Sequence, residues 1–77
     1  MELKDRVKKT VGLFNKNIAS IAELKLDERE RSVVELARMY ASDAASFMNK
    51  DDYVTAFSAI EYAHGLLDAI LKIKKNE

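Results

Sequence analysis

His64 is the only histidine in the chain, and Asp68 follows it four positions on. An imidazole and a carboxylate one helical turn apart can share a metal ion, or can form a general base with its orienting group. Either use needs a third group from elsewhere, and Asp43 on the second helix is the obvious candidate. Helix-hairpin geometry argues against that trio. With a turn centred between residues 50 and 51, His64 lies level with Ala37, and Asp43 lies level with Ser58. That offset corresponds to about 9 Å along a helix axis. A compact site is therefore not expected, and His64 reads as a core-edge residue tethered locally by Asp68. Tyr40 comes level with Glu61, which leaves a looser polar cluster of Tyr40, Asp43, Glu61, His64 and Asp68. A small ligand- or metal-binding protein, or an enzyme, would draw on those residues.

Much other chemistry is excluded by composition. There is no Cys, hence no disulfide framework, no thiolate metal site and no thiol nucleophile. No Gly-rich phosphate loop or Gly-Lys-Ser/Thr sequence occurs. A helical ribonuclease pattern with Arg four to six residues before His is also missing, since the nearest arginine preceding His64 is Arg38. No catalytic, cofactor-binding or metal-ligating residues are assigned on these grounds, no cofactor is expected, and the reading leans away from an enzyme.

The elements that carry these residues follow from spacing. Leu3, Val7, Val11, Phe14, Ile18 and Ile21 recur at helical intervals. A second stripe, Val33, Ala37, Tyr40, Ala44 and Phe47, begins after Asp27, where Glu30 completes a capping-box pattern. Asn49-Lys50-Asp51-Asp52 reads as a turn, with Asp51 or Asp52 capping a third helix striped by Tyr53, Phe57, Ile60, His64, Leu67 and Leu71. The expectation is one domain over residues 1–77, an all-α antiparallel up-down-up three-helix bundle with helices at about 2–24, 28–49 and 52–75. No apolar run approaches the roughly 20 residues of a membrane span, and no apolar stretch backs the N-terminal charges as in a signal peptide. A cytoplasmic protein without membrane contact is expected.

The faces of the helices say more than their number. A second row on the third helix, Ala56, Ala59, Ala63, Leu66, Ile70 and Ile73, widens its apolar arc to roughly 200°, beyond that of an ordinary surface helix. The second helix is wider still, with Val34, Ala41, Ala45 and Met48 on one side and Leu36 and Met39 on the other. Either the first helix covers these arcs unusually well or a partner does. A homodimer, or a protein partner docking on the second and third helices, is the expected association. Asp43 interrupts the arc between Leu36, Met39 and Phe47, so partial desolvation and a nearby donor are expected for it. It would then serve as a polar anchor at a binding surface or as a register-fixing core pair. Gly65 falls on the outer face of the third helix; a mid-helix glycine costs about 1 kcal/mol relative to alanine. Close approach of another backbone, as in a helix–helix dimer seam, would account for it, as would neutral tolerance or a slight bend. Tyr40, Tyr53 and Tyr62 stand at helical spacing, which favours packing over base stacking.

Thirteen basic residues balance thirteen acidic ones, but unevenly. Residues 1–25 carry six basic against three acidic groups, whereas residues 39–71 set Lys50 alone against five acids. A basic first helix could touch nucleic acid weakly, or could simply dock on an acidic hairpin. With no recognition motif, nucleic acid ranks third among the possible partners.

The combination Tyr40-x-x-Asp43-Ala44, Phe47, Asp52-Tyr53, Ala56 and Tyr62-Ala63-x-Gly65-Leu66-Leu67-Asp68-Ala69 resembles a family of short archaeal proteins, domain of unknown function family 357. The likeness extends over nearly the whole chain, and the segment from Tyr62 to Ala69 is its most distinctive part. It implies a cytoplasmic archaeal helical bundle, and it carries no assigned activity and no catalytic residues. More loosely, Tyr40, Phe47, Ala56, Ile60 and Ala63 resemble the large and small positions of a single tetratricopeptide repeat. One helix pair makes no solenoid, yet the pattern favours a binding module. An uncharacterised interaction or homo-oligomerisation module, without catalysis, is the leading functional reading.

Overall fold

The computed structural model describes residues 2–76, which form three helices: α1 (Leu3–Ile21), α2 (Glu28–Asn49) and α3 (Tyr53–Lys75). They make the all-α three-helix bundle that the periodicity implies. Where periodicity carried the first helix to residue 24, α1 stops at Ile21. From there the bonds tighten, with Glu23 N–H donating to Ser20 O and Leu24 N–H to Ile21 O. Such three-residue bonds commonly finish a helix. Neither Gly nor Pro stands at that end, so spacing alone runs past it.

Direction and register can be read from side-chain pairs. Lys4 lies over the Tyr53 ring, Arg6 over the Phe57 ring, and Thr10 donates to Glu61 at 2.8 Å. The two series rise together, so α1 runs parallel to α3. Tyr40 meets Tyr62, and Glu30 meets Lys74, so α2 runs antiparallel to it. Both α1 and α2 pack mainly on α3 and scarcely on each other. The core is accordingly an α3 ridge of Ala56, Ile60, Ala63, Leu67 and Ile70. Val7, Phe14 and Ile21 close on it from α1, and Val34, Ala37 and Ala44 close on it from α2.

The helix ends are fixed by their own chemistry. Asp27 accepts the Glu30 N–H at 2.8 Å, and Glu30 Oε1 accepts the Asp27 N–H at 2.9 Å, a closed capping box. The same Oε1 lies 2.8 Å from Lys74 Nζ, with the two side chains only 11% and 14% exposed respectively. Lys74 therefore does more than complement its own helix dipole; it ties the end of α3 to the start of α2. At the other end, Asp51 N–H donates to Met48 O and Asp52 N–H to Phe47 O. This is the bonding of a Schellman close, with Asp51 at φ 60° in the place usually held by glycine. Asp52, rather than Asp51, caps α3 by accepting the Thr55 N–H at 3.1 Å. Asp51 instead accepts the Tyr53 hydroxyl. Among the described residues, no helix is long and apolar enough to cross a membrane.

The Lys74 side-chain contact, reinforced by the Asp27 N–H, holds the Glu30 carboxyl below its ordinary pKa. Thr55 does the same for Asp52. A depressed folded pKa contributes stability above the unfolded value, about 4.3 for Glu, and that contribution disappears as pH falls through the folded value. Thermal melting of the wild type should therefore decline below about pH 4.3 more steeply than that of Glu30→Gln. Parallel melting curves against pH would show that the contact adds nothing.

Candidate functional site

The polar residues singled out by spacing are distributed over two flanks of α3. Phe57, Glu61, His64 and Asp68 form one helical stripe, and its first two members face α1 through Arg6 and Thr10. Tyr62 lies on the opposite flank, where its ring meets that of Tyr40 edge-on, with centroids 4.6 Å apart. Glu61 therefore turns away from Tyr40 despite their shared level, and the cluster of Tyr40, Asp43, Glu61, His64 and Asp68 does not form. Asp68 does not tether His64 either. Its carboxylate reaches onward one turn to Lys72 Nζ at 3.3 Å. His64 is half-buried at the core edge. Among the described residues, no three His, Cys, Asp or Glu side chains come together as a metal site would need.

Asp43 corrects the sequence reading in another way. It was expected to be partly desolvated, but it is exposed. Its neighbours explain the difference, because the arc around it is itself uncovered. Met39 is 64% exposed, Tyr62 51% and Ile73 51%, with Leu36 at 38% beside the half-buried Tyr40. Single exposed apolar residues are ordinary. These are not single, since Leu36, Met39 and Tyr40 share neighbouring turns of α2 and the Tyr40–Tyr62 contact joins them to α3. Exposed apolar residues grouped in this way commonly mark an interaction site. This face is uncovered because α1 packs on the other flank of α3.

Two concavities lie away from that face. One, of about 470 Å³, lies where α1 passes into α2, with Ile21, Leu26 and Val34 as apolar lining and Lys25, Arg31 and Arg38 as cations. Glu35 also lines it and pairs with Arg38 at 3.7 Å. Sequence reasoning missed this cleft because its walls come from a turn and from the α2 flank away from the apolar stripe. The recurrence of Arg31 and Arg38 seven residues apart was the available signal. The second, of about 210 Å³, lies between α1 and α3 beside the Thr10–Glu61 hydrogen bond. Lys4 and Arg6 both stand over aromatic rings of α3, so part of the basic charge of α1 is engaged in docking the helix.

Residues 10–75 match the family model described as "Protein of unknown function (DUF357)", and the chain belongs to that family. No curated protein matches the chain. The membership agrees with the resemblance carried by the Tyr62–Ala69 segment and supplies no activity.

Gly65 is exposed, and a Cβ built on it would meet nothing within 4 Å. Among the described residues, no close approach accounts for this glycine. Gly65→Ala should therefore fit without displacing a neighbour and raise the unfolding free energy by about 1 kcal/mol, measured by urea denaturation. A loss of stability would show that the α3 backbone requires glycine there.

Proposed function

We propose that this member of the DUF357 family is a non-catalytic interaction module that self-associates through the uncovered face of α2 and α3. The observation that carries the reading is the run of Leu36, Met39, Tyr40, Tyr62 and Ile73, left open because α1 packs on the opposite flank of α3. A chain this short buries only about 60–65% of the surface its unfolded form exposes, so area covered by a second copy adds materially to its core. The separation of the polar residues onto two flanks favours assembly over the alternative of a small ligand- or metal-binding protein or enzyme. The docking of Lys4 and Arg6 over α3 rings likewise disfavours nucleic-acid contact through α1. Resemblance to short archaeal proteins supports a setting in an archaeal cytoplasm.

Sedimentation equilibrium over micromolar concentrations tests this reading. The wild type should give the mass of a dimer, and Met39→Glu/Tyr62→Glu should give that of a monomer. Helical circular dichroism should persist in the variant, since both replaced side chains are largely exposed. A wild type that stays monomeric throughout the range overturns self-association.

A further inference from the structure

We infer that the second copy docks with its α2 antiparallel to α2 of the first, about a two-fold axis at Leu36. The inference rests on the self-association reading above and adds the orientation and register. Its basis is a row along the side of α2, where Arg29, Leu36 and Asp43 follow one another at seven-residue intervals and are all exposed. Seven residues are two helical turns, so the three side chains lie on one line with a cation at one end and an anion at the other. Among the described residues, neither Arg29 nor Asp43 belongs to an ion pair, so both charges are free to meet a partner.

Charge decides the orientation. A parallel two-fold pairing would set Arg29 against Arg29 and Asp43 against Asp43. An antiparallel pairing about Leu36 sets Arg29 of each copy against Asp43 of the other, twice over, with Leu36 against Leu36 at the centre. Positions equidistant from Leu36 then come to the same level, and Met39, the most exposed apolar residue of α2, lies to one side of the row while Tyr40 lies to the other. A two-fold interface must be complementary to itself, and this row is. The like-charge alternative also penalises the wrong orientation, which is how paired helices select partner direction. From Arg29 to Asp43 the row extends about 21 Å along the helix. Tyr62 of α3 stands beside it through its contact with Tyr40. A standard interface buries about 800 Å² per partner, a modest share of the 5359 Å² exposed by the described structure.

Charge swapping tests the register by sedimentation. Arg29→Asp and Asp43→Arg should each weaken dimerisation at least about tenfold, because each sets like charges together at both ends. The double variant Arg29→Asp/Asp43→Arg restores opposite charges and should recover wild-type affinity. Independently, Leu36→Cys should oxidise rapidly to a covalent dimer, whereas Val54→Cys, on the exposed side of α3, should not. The chain has no cysteine to confuse the result. If the wild type dimerises but the single variants bind as tightly as it does, the proposed register fails while self-association stands. A double variant no better than the singles overturns it equally. A monomeric wild type removes both readings together.

Discussion

Both extensive helix–helix interfaces among the described residues are made by α3. Ala56, Ile60, Ala63, Leu67 and Ile70 recur at intervals of three and four, and these five side chains are all nearly inaccessible. α1 and α2 close on this ridge from separate flanks and have little in common apart from it. The alanines keep parts of the ridge low, while Ile60 and Leu67 supply the bulk that fills the space between the flanking helices. A substitution on this ridge consequently disturbs both helix contacts, whereas one on α1 or α2 disturbs a single contact.

Apolar packing of this kind leaves axial sliding weakly specified, and a few polar contacts remove the freedom. Thr10 and Glu61 set α1 against α3 in the middle of the bundle. Glu30 and Lys74 set α2 against α3 at one end, and the Asp51 turn does so at the other. Holding register is the best-attested use of such partly buried polar groups. Glu30 serves two scales together, because one carboxylate oxygen both completes a helix cap and receives an ammonium from another helix.

The sequence made the helices legible because each has an unbroken apolar period, and α2 carries a capping box that formed as its residues indicate. The excess apolar width of the second and third helices was legible too, and it corresponds to the open face beside Tyr40 and Tyr62. Side-chain direction was not. Glu61 and Tyr40 share a level, yet they leave their helices on different sides, and level alone does not specify azimuth. Asp68 had two partners within one turn, His64 behind it and Lys72 ahead; the ammonium offered the charge pair, and the carboxylate turned to it. Asp43 was misjudged because a polar residue within an apolar arc looks buried only if something covers the arc. The end of α1 escaped detection for want of a breaking residue.

The unequal sharing of contacts also shapes how the molecule can open. α1 is held by one neighbour, so it can lift away as a unit while the α2–α3 hairpin keeps its own pairing, capped turn and Glu30–Lys74 tie. Openings confined to one supersecondary unit cost less than global unfolding. Amide protons of α1 would exchange through this partial route, and the segment 22–27 would be the hinge about which it swings. In such an opened state the α1-facing flank of Ile60 and Leu67 would meet water.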